Sequence, residues 1–292
     1  EGVDFVLGAN EKFNISKYLT NPKKNIDTVI KNKHIKETNT FIPGYSLGDR
    51  TRSFLKIQDG CNYFCSFCTI PLARGKSRSG TVEQTLLKAK ELANENVKEV
   101  VLTGVNIGDF GNGSNESFYE LIQELDKIEE IDRFRISSIE PDLLNSRIIN
   151  FVSQSTRFVP HFHIPLQSGS DELLKKMRRR YNTQLYRERI ELIKHLMPDA
   201  CIGADVIVGF PGESDEEFKK TMDFLIELPL SYLHVFTYSE RANTTATRMK
   251  DIVPIATRKE RSKQLRNLSE KKKRAFYLSQ QGKNEKVVFE KQ

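Results

Sequence analysis

Three of the four cysteines, Cys61, Cys65 and Cys68, stand within eight residues of one another, in the run Asp59-Gly60-Cys61-Asn62-Tyr63-Phe64-Cys65-Ser66-Phe67-Cys68. Clustered thiols in a chain without a visible secretion signal point to a metal site rather than a disulfide framework. Three thiolates spaced C-x3-C-x2-C on one short loop can each bind an iron of a [4Fe–4S] cluster, which takes four cysteines when fully ligated. The missing fourth ligand leaves one iron open, and the amino and carboxylate groups of an amino acid can chelate it. A sulfonium held that way is placed to receive one electron and break a C–S bond. Zinc is the competing reading, but zinc takes four tetrahedral ligands and commonly uses C-x2-C pairs. The histidines closest to the loop in sequence, His34 and His161, are not near it. Cys201 reads as a small hydrophobe at a strand start.

These thiols need a scaffold, and the apolar periodicity describes one. Apolar runs near 54–58, 99–103, 135–139, 161–166, 202–208 and 233–238 read as strands, each followed by helix. Helices are expected over 82–94, 117–128, 141–153, 171–177 with 184–196, and 214–227, with Glu83, Asp142 and Glu213 near helix starts. This alternation argues for an α/β fold with parallel strands. Runs such as VVLTG and DVIVGF fit strands covered on both faces. Right-handed crossovers then curl the sheet into a partial or full (β/α) barrel, with its site at the strands' C-terminal ends. Residues 1–40 read as the remnant of a preceding α/β domain, 41–50 as a linker, 51–280 as the core with a long basic helix over 255–280, and 281–292 as the start of a β-domain whose first strand holds Val287-Val288-Phe289.

Several polar residues fall at strand ends. Ser137, Ser138 and Glu140 end the third strand, where they can bind ribose hydroxyls or an ammonium, or simply cap the helix after Pro141. Gly104, within Thr103-Gly104-Val105-Asn106, lets backbone approach a ligand closely or makes a tight turn. Asp205 lies among apolar neighbours and needs a partner if buried. Strand alternation is expected to turn one of His161 and His163 inward and the other out, which argues against a joint metal role. Arg178, in Met177-Arg178-Arg179-Arg180-Tyr181, reads as an anion-binding group or as a cation at a helix C-terminus.

Net charge is +7 over 292 residues, yet residues 254–292 alone carry 12 Lys/Arg against 4 Asp/Glu. The excess is therefore a C-terminal feature, either a footprint for nucleic acid or a solvated helix face. No apolar run approaches the roughly 18–20 residues of a membrane span, and the start EGVDFVLGAN does not read as a signal peptide. A cytoplasmic location is expected.

The cysteine loop resembles the signature of the radical-SAM superfamily. Lys56-Ile57-Gln58-Asp59-Gly60-Cys61-Asn62, then Ile70-Pro71, Ala73-Arg74-Gly75 and Arg78-Ser79, are similar to its methylthiotransferase family. The start Gln58-Asp59-Gly60-Cys61-Asn62 with Ala73-Arg74-Gly75 most resembles the branch acting on N6-threonylcarbamoyladenosine beside the tRNA anticodon, rather than those acting on isopentenyladenosine or a ribosomal protein. The resemblance implies a tRNA methylthiotransferase. In it, Cys61, Cys65 and Cys68 hold a [4Fe–4S] cluster that splits S-adenosyl-L-methionine (SAM) into methionine and a 5′-deoxyadenosyl radical. That radical takes hydrogen from C2 of the modified adenosine, and a second cluster supplies sulfur methylated by another SAM. It further implies SAM contacts from Thr103, Gly104 and Asn106 at the methionyl end, and from Ser137, Ser138 and Glu140. Gln167 and Ser168 match a motif at the site's mouth, and Arg178 reaches SAM or tRNA. The strand carrying Asp205 lies at the adenine, and Phe67 packs on it unless it is core. Implied partners are tRNA and an electron donor of flavodoxin or ferredoxin type; a monomer is expected. In the family, three cysteines of an N-terminal domain bind the second cluster, and a C-terminal TRAM domain binds RNA. Residues 1–60 hold no cysteine, so the expectation is a piece of a longer protein that holds one cluster and does not complete sulfur insertion alone. Two other readings stay open: a different radical-SAM reaction such as radical methylation, and a noncatalytic zinc-stabilised RNA-binding module.

Overall fold

The computed structural model describes residues 2–19, 28–32, 35–47 and 52–289. The first described segments form a small unit. Strand β1 (Phe5–Leu7) pairs in parallel with β2 (Val29–Lys31), with helix α1 (Ser16–Leu19) between them in sequence. Strand β3 (Gly44–Tyr45), inside the expected linker, pairs antiparallel with β4 (Arg52–Lys56). Residues 48–50 of that linker and His34 lie outside the described residues.

The core then alternates. After β4 come β5 (Gln58–Asp59), α2 (Ile70–Arg74), β6 (Arg78–Ser79), α3 (Val82–Asn94), β7 (Glu99–Thr103), α4 (Phe118–Leu125), β8 (Arg133–Ile136) and α5 (Ser146–Gln154). They are followed by β9 (His161–His163), α6 (Asp171–Lys176), α7 (Thr183–Leu196), β10 (Cys201–Val208), α8 (Asp215–Glu227), β11 (Tyr232–Thr237) and α9 (Ile255–Ser279). Strands β4, β7 and β8 are parallel neighbours, as are β9, β10 and β11. Isolated bridges Phe134↔Phe158 and Ser138↔His163 join the two sets between β8 and β9. Among the described residues β4 and β11 do not pair, so the barrel is open. On the face under the helices apolar side chains, among them Leu102, Phe134, Ile136, Phe162, Ile202 and Val206, are buried.

Short polar caps start the helices where the sequence places them. Thr81 forms a capping box with Gln84 at α3, and Ser117, Ser170, Asn182 and Ser214 cap α4, α6, α7 and α8. Three expectations are corrected. Helix α5 starts at Ser146 rather than at Pro141, because the Asn145 side chain accepts from the Ile148 N–H and residues 141–144 form a turn. Asp142 instead accepts from the Tyr63 hydroxyl. Val287-Val288-Phe289 forms no strand; a ladder needs a partner strand, and none of the described residues pairs with it. Finally, α9 is not a wholly solvated basic face. It packs along β11, where the Ser269 hydroxyl bonds the Leu233 N–H and C=O, and it buries Arg258 and Arg261.

Candidate active site at the cysteine loop

The cysteine loop leaves β5 at Gly60, whose φ of +71° suits glycine, and where a Cβ would stand 2.0 Å from the Lys76 carbonyl oxygen. Asp59, 2 % exposed, anchors the turn. Its carboxylate accepts from the Gly60 N–H at 2.9 Å, Arg74 Nη1 at 3.1 Å and Arg78 Nη2 at 3.2 Å. Burial pushes that carboxyl up, but these donors and cations outweigh it and hold it below the usual range. The Ala73-Arg74-Gly75 and Arg78-Ser79 runs thus frame the loop, with the Cys61 N–H donating to the Gly75 carbonyl at 3.1 Å.

Each thiol receives a donor. Tyr63 N–H reaches Cys61 Sγ at 3.3 Å, Arg179 Nη1 reaches Cys65 Sγ at 3.1 Å, and Ile70 N–H reaches Cys68 Sγ at 3.4 Å. Burial pushes the Cys61 thiol up to about 11 and raises that of Cys65, against which the Arg179 cation works. Among the described residues the three sulfurs do not all lie within 4.8 Å of one another. A single tetrahedral zinc with bonds of about 2.3 Å would draw its thiolates to about 3.8 Å apart. The donor set therefore fits a larger group, such as the cluster, better than one zinc ion.

Gln58 ties this loop to the turn after β7. Its Oε1 accepts from the Val105 and Asn106 N–H groups at 3.0 and 2.8 Å, and its Nε2 donates to the Gly60 carbonyl at 2.8 Å. A Cβ at Gly104 would meet the Gln58 carbonyl at 2.9 Å. The Thr103 carbonyl accepts from the Ile57 N–H at 2.9 Å. Asn106 is 3 % exposed, and neither its Oδ1 nor its Nδ2 has a partner. A buried amide in that state is costly unless a ligand completes it, and its backbone N–H is joined to the start of the cysteine loop through Gln58.

Ser137 and Ser138 are half-buried at the end of β8. Glu140 follows, and its carboxylate pairs with Arg179. Burial pushes Glu140 up to about 7, while Arg179 pulls it back down. Arg179 also donates from Nε to the Tyr181 hydroxyl at 3.1 Å, so it bridges Cys65, Glu140 and Tyr181. The expected Arg178 is exposed, with a left-handed φ of +59°; its neighbour reaches the thiols.

Phe67, Gln167 and Asp205 line one cavity of about 220 Å³, together with Ile207 and Tyr238. Phe67 meets Phe210 edge-on with centroids 6.4 Å apart. Ser168 does not line that cavity. It is fully buried against α8, with its hydroxyl 3.1 Å from Thr221 Oγ1 and accepting from the Ser170 N–H at 3.2 Å. Asp205 has the partners its burial demands: His163 Nε2 lies 2.9 Å and His234 Nδ1 3.4 Å from Oδ1. His161 and His163 do not point to opposite faces. They are two residues apart on β9 and so share a face, with Phe162 buried between them. Both lie 3.3 Å from the Tyr232 hydroxyl. Burial lowers His161 to about 4.

A parallel α/β half-barrel with three thiols on the loop after its first core strand defines a class. The chain belongs to the radical SAM superfamily, whose model matches residues 55–225. Over 287 residues it is 39 % identical to the threonylcarbamoyladenosine tRNA methylthiotransferase MtaB of Aquifex aeolicus, spanning 96 % of this chain and 69 % of that protein. It is 32 % identical to the tRNA-2-methylthio-N(6)-dimethylallyladenosine synthase of Clostridium botulinum (strain Hall), spanning 99 % of this chain and 64 % of that protein. The chain thus spans about two thirds of the length of these relatives. Among solved structures, the radical S-adenosylmethionine methyltransferase TsrM of Kitasatospora setae superposes with a TM-score of 0.54 at 16 % identity, over 63 % of this chain and 36 % of that one; this likeness speaks to fold alone. Membership of the superfamily implies a [4Fe–4S] cluster and SAM.

Sequence reading missed Gln58, Arg179, Tyr232 and His234. Gln58 carried a signal, a polar residue ending an apolar strand. Arg179 carried none, because the phase at which a helix unwinds selects one arginine among three.

Proposed function

We propose that the chain carries the catalytic core of a tRNA methylthiotransferase, which inserts a methylthio group at C2 of N6-threonylcarbamoyladenosine next to the anticodon in a SAM-dependent radical reaction. The observation that carries this reading is the loop of three thiols, each with a donor, joined through Gln58 to the turn that holds an orphaned buried Asn106, in a chain of the radical SAM superfamily. The relatives' names supply the substrate: identity is higher to the threonylcarbamoyladenosine enzyme than to the dimethylallyladenosine one.

Cluster and SAM together supply one-electron cleavage of a C–S bond, a chemistry no side chain offers. The chain's own residues bind and orient. Cys61, Cys65 and Cys68 are the cluster ligands. The Arg179 N–H on Cys65 favours its thiolate form. Asn106, Gly104 and Thr103 would hold SAM at its methionyl end, together with Ser137, Ser138 and Glu140. Gln167, Asp205 and Phe67, which line one cavity, would take its adenine side, and Arg178, being exposed, is kept for tRNA phosphate.

The whole protein holds a second [4Fe–4S] cluster and a TRAM domain outside residues 41–280, acts in the cytoplasm as a monomer and takes electrons from a flavodoxin- or ferredoxin-type donor. Among the described residues no helix is long and apolar enough to cross a membrane.

Anaerobic reconstitution of residues 1–292 is expected to give about four irons and four sulfides per chain; zinc without iron would overturn the cluster. Mass spectrometry of tRNA from cells lacking the full-length gene tests the substrate. Loss of methylthio-threonylcarbamoyladenosine is expected, and its retention with loss of the methylthio-dimethylallyl nucleoside would move the chain to the other branch.

A further inference from the structure

His163, Asp205 and His234 come from three adjacent strands, β9, β10 and β11, and the register puts them side by side, Gly203 opposite His163 and Asp205 opposite His234. Each offers one ligating atom, and the three atoms lie within 4.8 Å of one another; among the described residues no other three His, Cys, Asp or Glu side chains do this. Both imidazole nitrogens converge on a single carboxylate oxygen, Asp205 Oδ1, at 2.9 and 3.4 Å. Ligands bound at about 2.0–2.2 Å to one ion stand about 3.0–3.5 Å apart, so these edges already have the length of a coordination triangle.

The surroundings are those of a metal-binding histidine. The second ring nitrogen of His163, Nδ1, is 3.3 Å from the Tyr232 hydroxyl, and that hydroxyl is 3.3 Å from His161 Nε2. With an ion bound, Nδ1–H donated to Tyr232, and Tyr232 O–H donated onward to His161, would leave the His163 Nε2 lone pair free for the metal; the tautomers are assigned from this network. The Tyr232 ring spans the row, with centroids 6.4, 6.1 and 5.2 Å from those of His161, His163 and His234. Asp205 also lines the cavity that holds Phe67 and Gln167, which leaves a route for a further ligand. The His234 side chain is 55 % exposed, which leaves an entry path for an ion.

We propose that His163, Asp205 and His234 bind one divalent transition-metal ion, separate from the iron–sulfur cluster. Two neutral imidazoles and one carboxylate suit zinc, cobalt, iron(II) or manganese rather than calcium or magnesium, which prefer all-oxygen shells. The three residues supply one face of the shell and leave its other positions to water or to a ligand entering from the cavity. In the absence of the ion the other tautomer serves: His163 Nε2–H and His234 Nδ1–H can each donate to Asp205 Oδ1, so the three ligands are gathered before the metal arrives.

The test uses the full-length protein, reconstituted anaerobically so that its cysteines are occupied by iron, then dialysed to equilibrium against Co2+. Cobalt and iron are counted separately by elemental analysis. One cobalt per chain is expected in addition to the cluster iron. Asp205→Asn and His234→Ala are each expected to weaken cobalt binding by about tenfold or more, while the surface variant His195→Ala leaves it unchanged. Iron content must stay equal across the four proteins, which separates a lost site from a lost fold. His234→Ala, at an exposed position, keeps the test valid if Asp205→Asn does not fold. No stoichiometric cobalt in the parent protein, or equal affinity in the folded variants, overturns the proposal.

Discussion

At the scale of single residues, the site depends on a few residues that fix backbone rather than touch a reacting atom. Gly60 is the clearest. Its φ of +71° and the 2.0 Å approach of the Lys76 carbonyl leave no room for a Cβ, so Gly60→Ala combines left-handed strain of about 1–3 kcal/mol with a backbone clash. The expected outcome is a loss of at least about 2 kcal/mol in stability, together with iron content after reconstitution well below that of the parent. Normal iron uptake with unchanged stability would mean that the turn tolerates another path. The glycine is legible in the sequence because it precedes the first cysteine; the reason for it is not, since the carbonyl it avoids belongs to Lys76, sixteen residues on. The same limit explains Arg178 and Arg179. Their sequence context is nearly identical, and only the left-handed turn at Arg178 decides which of them is buried against Cys65.

At the scale of elements, the alternation of apolar runs and amphipathic segments was enough to read the parallel strands and most helices, because strands covered on both faces leave continuous apolar runs. It failed where a cap outranked a periodic pattern, as at Asn145, and where net charge hid a packed face, as on α9. Arg261 of that helix donates to Glu213 Oε1 and to Asp215 Oδ1, each at 2.6 Å, with the Glu213 side chain 1 % exposed. Arg261→Ala strands a buried carboxylate and is expected to cost about 3–5 kcal/mol near neutral pH. The pH dependence has a definite sign. Burial pushes the Glu213 carboxyl above its ordinary 4.5, and Arg261 opposes that. Without the arginine the upward push dominates, so the folded variant binds a proton more tightly than the unfolded chain does. The variant's deficit is therefore expected to be small below about pH 4.5 and to grow as pH rises through the raised value. Denaturant melts of variant and parent at several pH values measure it, and a deficit that shrinks toward neutral pH would contradict the assignment.

At the scale of the whole molecule, the question is how a core with net charge close to zero outside residues 254–292 meets a polyanion. The answer the structure favours is α9. Its inner side is occupied by Arg258, Arg261, Leu265 and Ser269 against the barrel, while Lys259, Lys263, Arg266, Lys271 and Arg274 are exposed. Their spacings of three to five residues run them along the outward side of one helix. A row of that kind neutralises successive phosphates, releases their counterions and carries little sequence information. The sequence showed the charge but not the stripe, because buried and exposed cations look alike until the helix docks. Replacing Lys263, Arg266, Lys271 and Arg274 together by glutamine is expected to weaken tRNA binding by the full-length protein at low salt. The slope of log affinity against log salt is expected to flatten by about 0.7–0.9 for each phosphate that α9 no longer neutralises. Iron content and thermal stability should hold, since none of the four is buried. Filter binding of tRNA across a salt series reads both quantities. An unchanged slope with intact binding would remove α9 from the tRNA path and shift the electrostatic footprint to another face of the protein.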